Sequence, residues 1–340
     1  MVERLRRIAN GIFAGLLALV AMCVARADEP LKAKIGVLRL SSSAPVFIAQ
    51  DKGYFRREGL DIELKFFDAA QPIAVATASG DVDVGITALT AGLYNLAGKG
   101  TLKLIGGMSR DIAGYPLGGY FASNKAFDAG LTSPKDLAGK RVAVTQIGSS
   151  FHYSLGLLAD KYDFKLSEVK IVPLQSLSNV VAALKGGTVD GALLPISSAR
   201  VLIEEGGARF LGRIGEETPW QVTAVFASPK TIANKELVKK VLTGLQRAQR
   251  EYHDVVLVSM KEGATVINDQ TRPLLEIIAK NTNLPIEQLA GNCAYIDPDG
   301  GLDVKDVDRQ IKWLQERGFV DSGFDAHTIL DKNLVKADGL

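Results

Sequence analysis

The sequence predicts an α/β protein of two similar lobes, each a sheet of β-α-β units, facing each other across a ligand cleft. Two observations lead there. The first is an internal repeat. Displaced by 107 positions, Lys34-Ile35-Gly36-Val37 falls on Arg141-Val142-Ala143-Val144, and Ser41-Ser42-Ser43 falls on Gly148-Ser149-Ser150. Without a gap, Ile62 and Leu64 then fall on Val169 and Ile171, and Gly80-Asp81-Val82-Asp83 on Gly187-Thr188-Val189-Asp190. A constant offset over that span signals two copies of one supersecondary unit. The second is the alternation of short apolar β runs with helical periodicity, which implies parallel sheets with ligands at the strands' carboxyl ends.

The N-terminus stands apart from this pattern. Arg4, Arg6 and Arg7 precede an apolar run over residues 12–24, and Ala25-Arg26-Ala27 offers a small-x-small cleavage site. Residues 1–27 therefore read as a secretory signal peptide, too short for a comfortable membrane span. Cys23 follows Met22, a poor lipobox residue, so lipid anchoring is not expected. Cleavage after Ala27 removes one acid and four arginines from 38 and 40, leaving 37 acidic and 36 basic residues. That balance gives no footing for a nucleic-acid partner. Cys293 remains as the sole cysteine, so no intrachain disulfide is expected and packed cores must hold the fold.

In the first lobe, strands are expected over residues 35–40, 60–66, 82–87 and 102–106. Helices fill the gaps, one with Pro45 in its first turn and another closed by Gly80. The strand ends nominate Ser41, Ser42 and Ser43, Thr87 and Ala88, and the run Ser109-Arg110-Asp111 as cleft contacts. An extended stretch at residues 118–124 leads out of this lobe. The second lobe opens on Val142-Ala143-Val144, a polar turn, and a helix with apolar residues at Leu155, Leu158, Ala159 and Tyr162. Gly148, Ser149 and Ser150 then stand at a helix N-terminus, where free N–H groups and hydroxyls suit an anion. The same serines also suit plain helix capping. Residues 222–228 form a second extended stretch, the natural return. The expected division is residues 28–117 and 229–340 for lobe 1 with the C-terminal helices, and 118–228 for lobe 2 with the crossing segments.

Other side chains have competing roles. Arg110 either forks onto a carboxylate or sulfonate, or is solvated; Arg39 carries the same ambiguity. Trp220 either stacks on a ligand or pins the hinge, with Tyr115 and Tyr120 weaker candidates of that kind. His152 either lines the cleft or packs beside it. It lies two residues from Ser150 in one helix start, too local for a separately oriented base, and no nucleophile-elbow motif is present. The loop from Asp297 to Asp303 has Leu302 at the calcium-loop glycine position, so it reads as a turn with Asp303 capping a helix. No His or Cys set has metal spacing.

Ala44-Pro45-Val46-Phe47-Ile48-Ala49-Gln50-Asp51-Lys52-Gly53-Tyr54-Phe55 and its continuation to Leu60 resemble the opening signature of one group of ABC-importer solute-binding proteins. That group includes binders of sulfonates, taurine, nitrate and thiamine precursors. The likeness continues through Gly80-Asp81-Val82-Asp83-Val84-Gly85, Asp136-Leu137-Ala138-Gly139-Lys140-Arg141-Val142 and Gly148-Ser149-Ser150-Phe151-His152-Tyr153. It implies a type II periplasmic binding protein whose lobes close on a solute. It further implies a periplasmic monomer that is not an enzyme, binds no cofactor, and works with a membrane permease and ATPase. A pyrimidine-synthesising branch of the group uses a cysteine-rich iron motif, which this sequence lacks. A sensor module without a transporter is the remaining alternative.

Overall fold

The computed structural model describes residues 29–336; the expected signal peptide and the Cys23 question lie outside them. Two five-stranded sheets carry the fold. The first contains β1 (Leu31–Leu38), β2 (Leu60–Phe67), β3 (Val84–Ala88) and β4 (Lys103–Gly107). The chain then passes through β5 (Ser109–Asp111) to the second sheet, formed by β6 (Gly118–Ser123), β7 (Arg141–Val144), β8 (Lys170–Pro173), β9 (Gly191–Pro195) and β10 (Ala208–Arg213). It returns through β11 (Trp220–Gln221) to β12 (Thr223–Ala227), which completes the first sheet.

The strand orders are β2-β1-β3-β12-β4 and, read in the same sense, β8-β7-β9-β6-β10. The repeat seen in the sequence holds at the level of register. Ile35 pairs with Leu64 and Val84, and Val142, 107 positions on, pairs with Ile171 and Gly191, all in parallel. Even a polar staple recurs. Lys34 N–H donates to Asp83 Oδ2 at 2.7 Å, and Arg141 N–H to Asp190 Oδ2 at 2.8 Å. Each aspartate fastens the first strand of its repeat, β1 or β7, to the turn before the repeat's third strand, β3 or β9.

The two extended segments expected as crossings are strands inside the sheets. β6 runs antiparallel between β9 and β10, and β12 antiparallel between β3 and β4. Each is the first long strand after a change of lobe, and β12, within residues 118–228, pairs with the first sheet. All five of its residues are buried. A fully buried strand and a buried connection both read as a continuous apolar run, so periodicity could not separate them. The true links are residues 108–117 and 214–222. They pair with each other, Trp220 against Asp111 and Gln221 against Arg110, with Tyr295–Ile296 as a third strand. Gln221 is wholly buried here, its amide donating to the carbonyls of Ser109 and Thr223 while its oxygen accepts from Arg110 Nε.

Helix Lys235–Glu251 packs its apolar stripe, including Val241 and Leu245, on the first lobe beside Ala44–Asp51. Asp303 caps helix Val304–Glu316, accepting from the Asp306 N–H at 3.0 Å. That helix touches both lobes. Trp313 meets His152 and Tyr153 edge-on at ring distances of 5.6 and 5.4 Å. A Cβ on Gly156 would stand 1.9 Å from the Trp313 ring, so glycine is what admits it. Among the described residues, no helix is long and apolar enough to cross a membrane, and no group of three or more His, Cys, Asp or Glu could hold a metal ion.

Candidate functional site

A cavity lies between the sheets at the carboxyl ends of β1, β3, β7 and β9. It encloses about 60 Å³, room for a few waters or one small solute, since a single water needs roughly 10–15 Å³. Ser42 and Ser43, with Gln71 and Thr90, wall it on the first lobe. Thr145, Gln146, Ser149 and Ser150 face them from the second. The hinge closes it: Asp111 and Trp220, paired across the two links, both line it.

Helix beginnings dominate this wall. Ser43 precedes Ala44–Asp51, Ala69 precedes Ala70–Ser79, and Thr90 precedes Ala91–Gly98. On the other lobe Ser149 precedes Ser150–Tyr162, Leu177 opens Leu177–Lys185, and Pro195 precedes Ile196–Glu204. All six N-termini therefore contribute lining residues. No side chain caps the helices beginning at Ala44 and Ala70; at the third, the Ile196 N–H donates to the Leu117 carbonyl at 2.9 Å and the Ser197 N–H to the Asn292 side-chain oxygen at 2.6 Å. Convergent N-termini give a positive potential without any cationic side chain. Indeed no Lys, Arg or His lines the cavity among the described residues.

Of the residues singled out by sequence, Ser42, Ser43, Thr87, Ala88, Ser149, Ser150 and Trp220 are brought together on the wall. Ser41 is buried in the same short turn, one residue outside it. Ser149 also caps its helix, its Oγ accepting from the His152 N–H at 3.3 Å. Gly148 does not line the cavity; it takes the left-handed conformation, φ +74°, and its carbonyl accepts from the Ala91 N–H at 2.8 Å. That bond joins lobe to lobe.

His152 turns away from the cavity. Its Nδ1 accepts from the Gly148 N–H at 2.9 Å, and its ring packs edge-on against Phe319 at 5.1 Å as well as Trp313. Burial, with the Arg317 charge second, brings its pKa down to about 4, so the ring is neutral and able to accept. Arg110 also lies elsewhere. Along β5 Ser109 and Asp111 are buried and Arg110 is not, because alternate strand residues face opposite sides. Arg110 bonds Gln221 and borders a separate surface depression with Lys305 and Arg309. Arg39 stacks on Phe66, Tyr115 meets Tyr295 edge-on, and Tyr120 is fully buried; none lines the cavity.

Asp111, named in the sequence only within the run Ser109-Arg110-Asp111, is the one charged lining residue among those described. It is 1 % exposed. Its Oδ2 accepts from the Gly118 N–H at 2.9 Å, and its Oδ1 has no hydrogen-bond partner. Burial raises its pKa to about 8 against the pull of the Gly118 and Gly215 amides, with the Glu216 charge adding to the rise. Thr87 Oγ1 and Trp220 Nε1 are likewise buried without partners. Gln71, Thr90, Thr145 and Gln146 carried no motif in the sequence. Gln71 bonds Thr90, Oγ1 to Oε1 at 2.7 Å, a pairing between residues 19 apart that only the fold creates.

Comparison with known proteins places these features. Over 246 residues the chain is 29% identical to the taurine-binding periplasmic protein of Escherichia coli strain K12, covering 70% of this chain and 71% of that one. It is 26% identical over 157 residues to the 4-amino-5-hydroxymethyl-2-methylpyrimidine phosphate synthase of Schizosaccharomyces pombe, covering 44% of this chain and 40% of that one. The fold is that of the periplasmic aliphatic sulphonate binding protein SsuA from Escherichia coli: TM-score 0.68 at 18% identity, covering 92% of this chain and 95% of that one. Residues 41–254, from the Ser41 turn to just past the Lys235–Glu251 helix, match the family described as NMT1/THI5 like, and the chain belongs to that family.

Proposed function

We propose that this protein is the solute-capturing component of an ABC importer, exported to the periplasm after cleavage at Ala27 and working there as a monomer. Its two lobes close on a small anion of the sulfonate, nitrate or carboxylate class and present it to a membrane permease and its ATPase. The observation that carries the reading is the set of six helix N-termini around a cavity with no cationic side chain among the described residues. Such a wall offers N–H groups and the hydroxyls of Ser42, Ser43, Thr87, Ser149 and Ser150 to an oxyanion. The taurine- and sulphonate-binding relatives support the same class. The pyrimidine synthase relative does not bring its chemistry here: Cys23 and Cys293 are the only cysteines in the sequence, too few for a cysteine-rich motif.

A melting-shift screen over taurine, alkanesulfonates, nitrate, aromatic carboxylates and pyrimidines tests this. An anion at a hundred times its Kd should add about 2.7 kcal/mol of apparent stability. Stabilisation by neutral pyrimidines alone would sink the anion reading. Replacing Ser149 and Ser150 together with Ala should weaken the anion by about 1–3 kcal/mol, while unchanged affinity would leave them as caps.

A further inference from the structure

We propose that Asp111 sets the specificity of this cavity by holding a protonated amine, so that the solute is a short zwitterion with its acidic group at the helix N-termini. This rests on the anion reading above and narrows it. Trp220 Nε1–H can only donate, and an ionised Asp111 Oδ1 can only accept; both are buried without a partner, and both line the same cavity. A solute with one acceptor pole and one donor pole meets both. A plain anion meets only the first and leaves the Asp111 carboxyl holding its proton in a space of about 60 Å³.

A purely structural role for Asp111 fits less well. Tying the hinge loop takes the Gly118 N–H on Oδ2 and the weaker pull of the Gly215 amide, which an Asn side-chain oxygen would accept at no cost in buried charge. Alternation along β5 turns Arg110 away, so no guanidinium reaches Asp111 as an internal counter-ion within the cavity wall. The positive helix termini across the cavity belong to backbone, and they serve the solute's acidic end.

Calorimetric titration of taurine (2-aminoethanesulfonate), ethanesulfonate and ethylamine into the wild-type protein and Asp111→Asn tests this. Wild type should bind taurine at least about tenfold more tightly than ethanesulfonate. In Asp111→Asn that ratio should collapse to within about twofold, through loss of taurine affinity rather than gain for ethanesulfonate. A variant-free measurement stands beside it. At pH 7 taurine binding to wild type should release a proton, read by repeating the titration in buffers of different ionisation enthalpy; ethanesulfonate should release none. Equal wild-type affinity for the two sulfonates, or an unchanged ratio in Asp111→Asn, overturns the assignment while leaving the anion reading standing. Tight binding of ethylamine alone, or no binding by either sulfonate, overturns both.

Discussion

Gly148→Ala should uncouple lobe closure from folding. Gly148 has φ +74°, where an L side chain adds about 1–2 kcal/mol of strain whether the lobes touch or not. A Cβ built there would lie 2.7 Å from the Ala91 Cβ of the other lobe, and that overlap exists only when the lobes meet. Relieving it separates the Ala91 N–H from the Gly148 carbonyl, a bond of 2.8 Å that contributes about 0.5–1.5 kcal/mol. With residual overpacking, the touching arrangement loses about 1–3 kcal/mol relative to the open one. A solute that binds across both lobes then loses about five- to 150-fold in affinity. The assay is calorimetric titration with taurine, beside small-angle scattering with and without it. Ala91→Gly supplies the control, since it removes the opposing Cβ, keeps the N–H and costs that helix under about 1 kcal/mol. The double variant should recover most of the lost affinity but none of the lost melting temperature. Equal loss of affinity with and without Ala91→Gly would refute the contact argument.

Two further outcomes follow from burial. Asp111 has a folded pKa near 8 against an unfolded value near the ordinary 3.8. Between those values the folded state holds a proton that the unfolded state lacks, so solute-free stability is full below about pH 4 and falls as pH rises toward 8. The steepest slope is about 1.4 kcal/mol per pH unit. Glu216, whose charge raises this pKa, and Tyr120, which feels the Asp111 charge, are the titratable groups facing it. Urea melts from pH 6.5 to 8 avoid the opposing term from His152, whose depressed pKa makes stability rise with pH over about 4 to 6.5. Asp111→Asn should abolish the slope, and a persistent slope would mean another group carries it. Separately, Trp313→Ala should cost about 3–5 kcal/mol, because the ring is 5 % exposed and bridges His152, Tyr153 and Phe319. A cost under 1 kcal/mol would show that helix Val304–Glu316 is not structurally tied to the second lobe.

By itself the sequence determined the repeat, the strand-helix alternation and the loop clusters at the strand ends. These are legible because they are local: apolar spacing, a cap such as Asp303, and a motif copied at constant offset each sit within one stretch of chain. Ser42, Ser43, Thr87, Ser149 and Ser150 could be named for that reason. The tertiary structure alone decided the rest. Whether 222–228 crosses between lobes or becomes β12 depends on pairing with β3 and β4, over a hundred residues away in sequence. The same holds for the choice between Arg110 and Asp111. Neighbouring residues on a strand face opposite sides, and which side meets the cavity was fixed when β5 paired with β11 and with Tyr295–Ile296. His152 stands neutral against Trp313 rather than in the cleft because a helix from the far end of the chain covers it. Contacts between distant residues leave no period in the sequence, so the sign and chemistry of the cavity emerge only when the lobes meet.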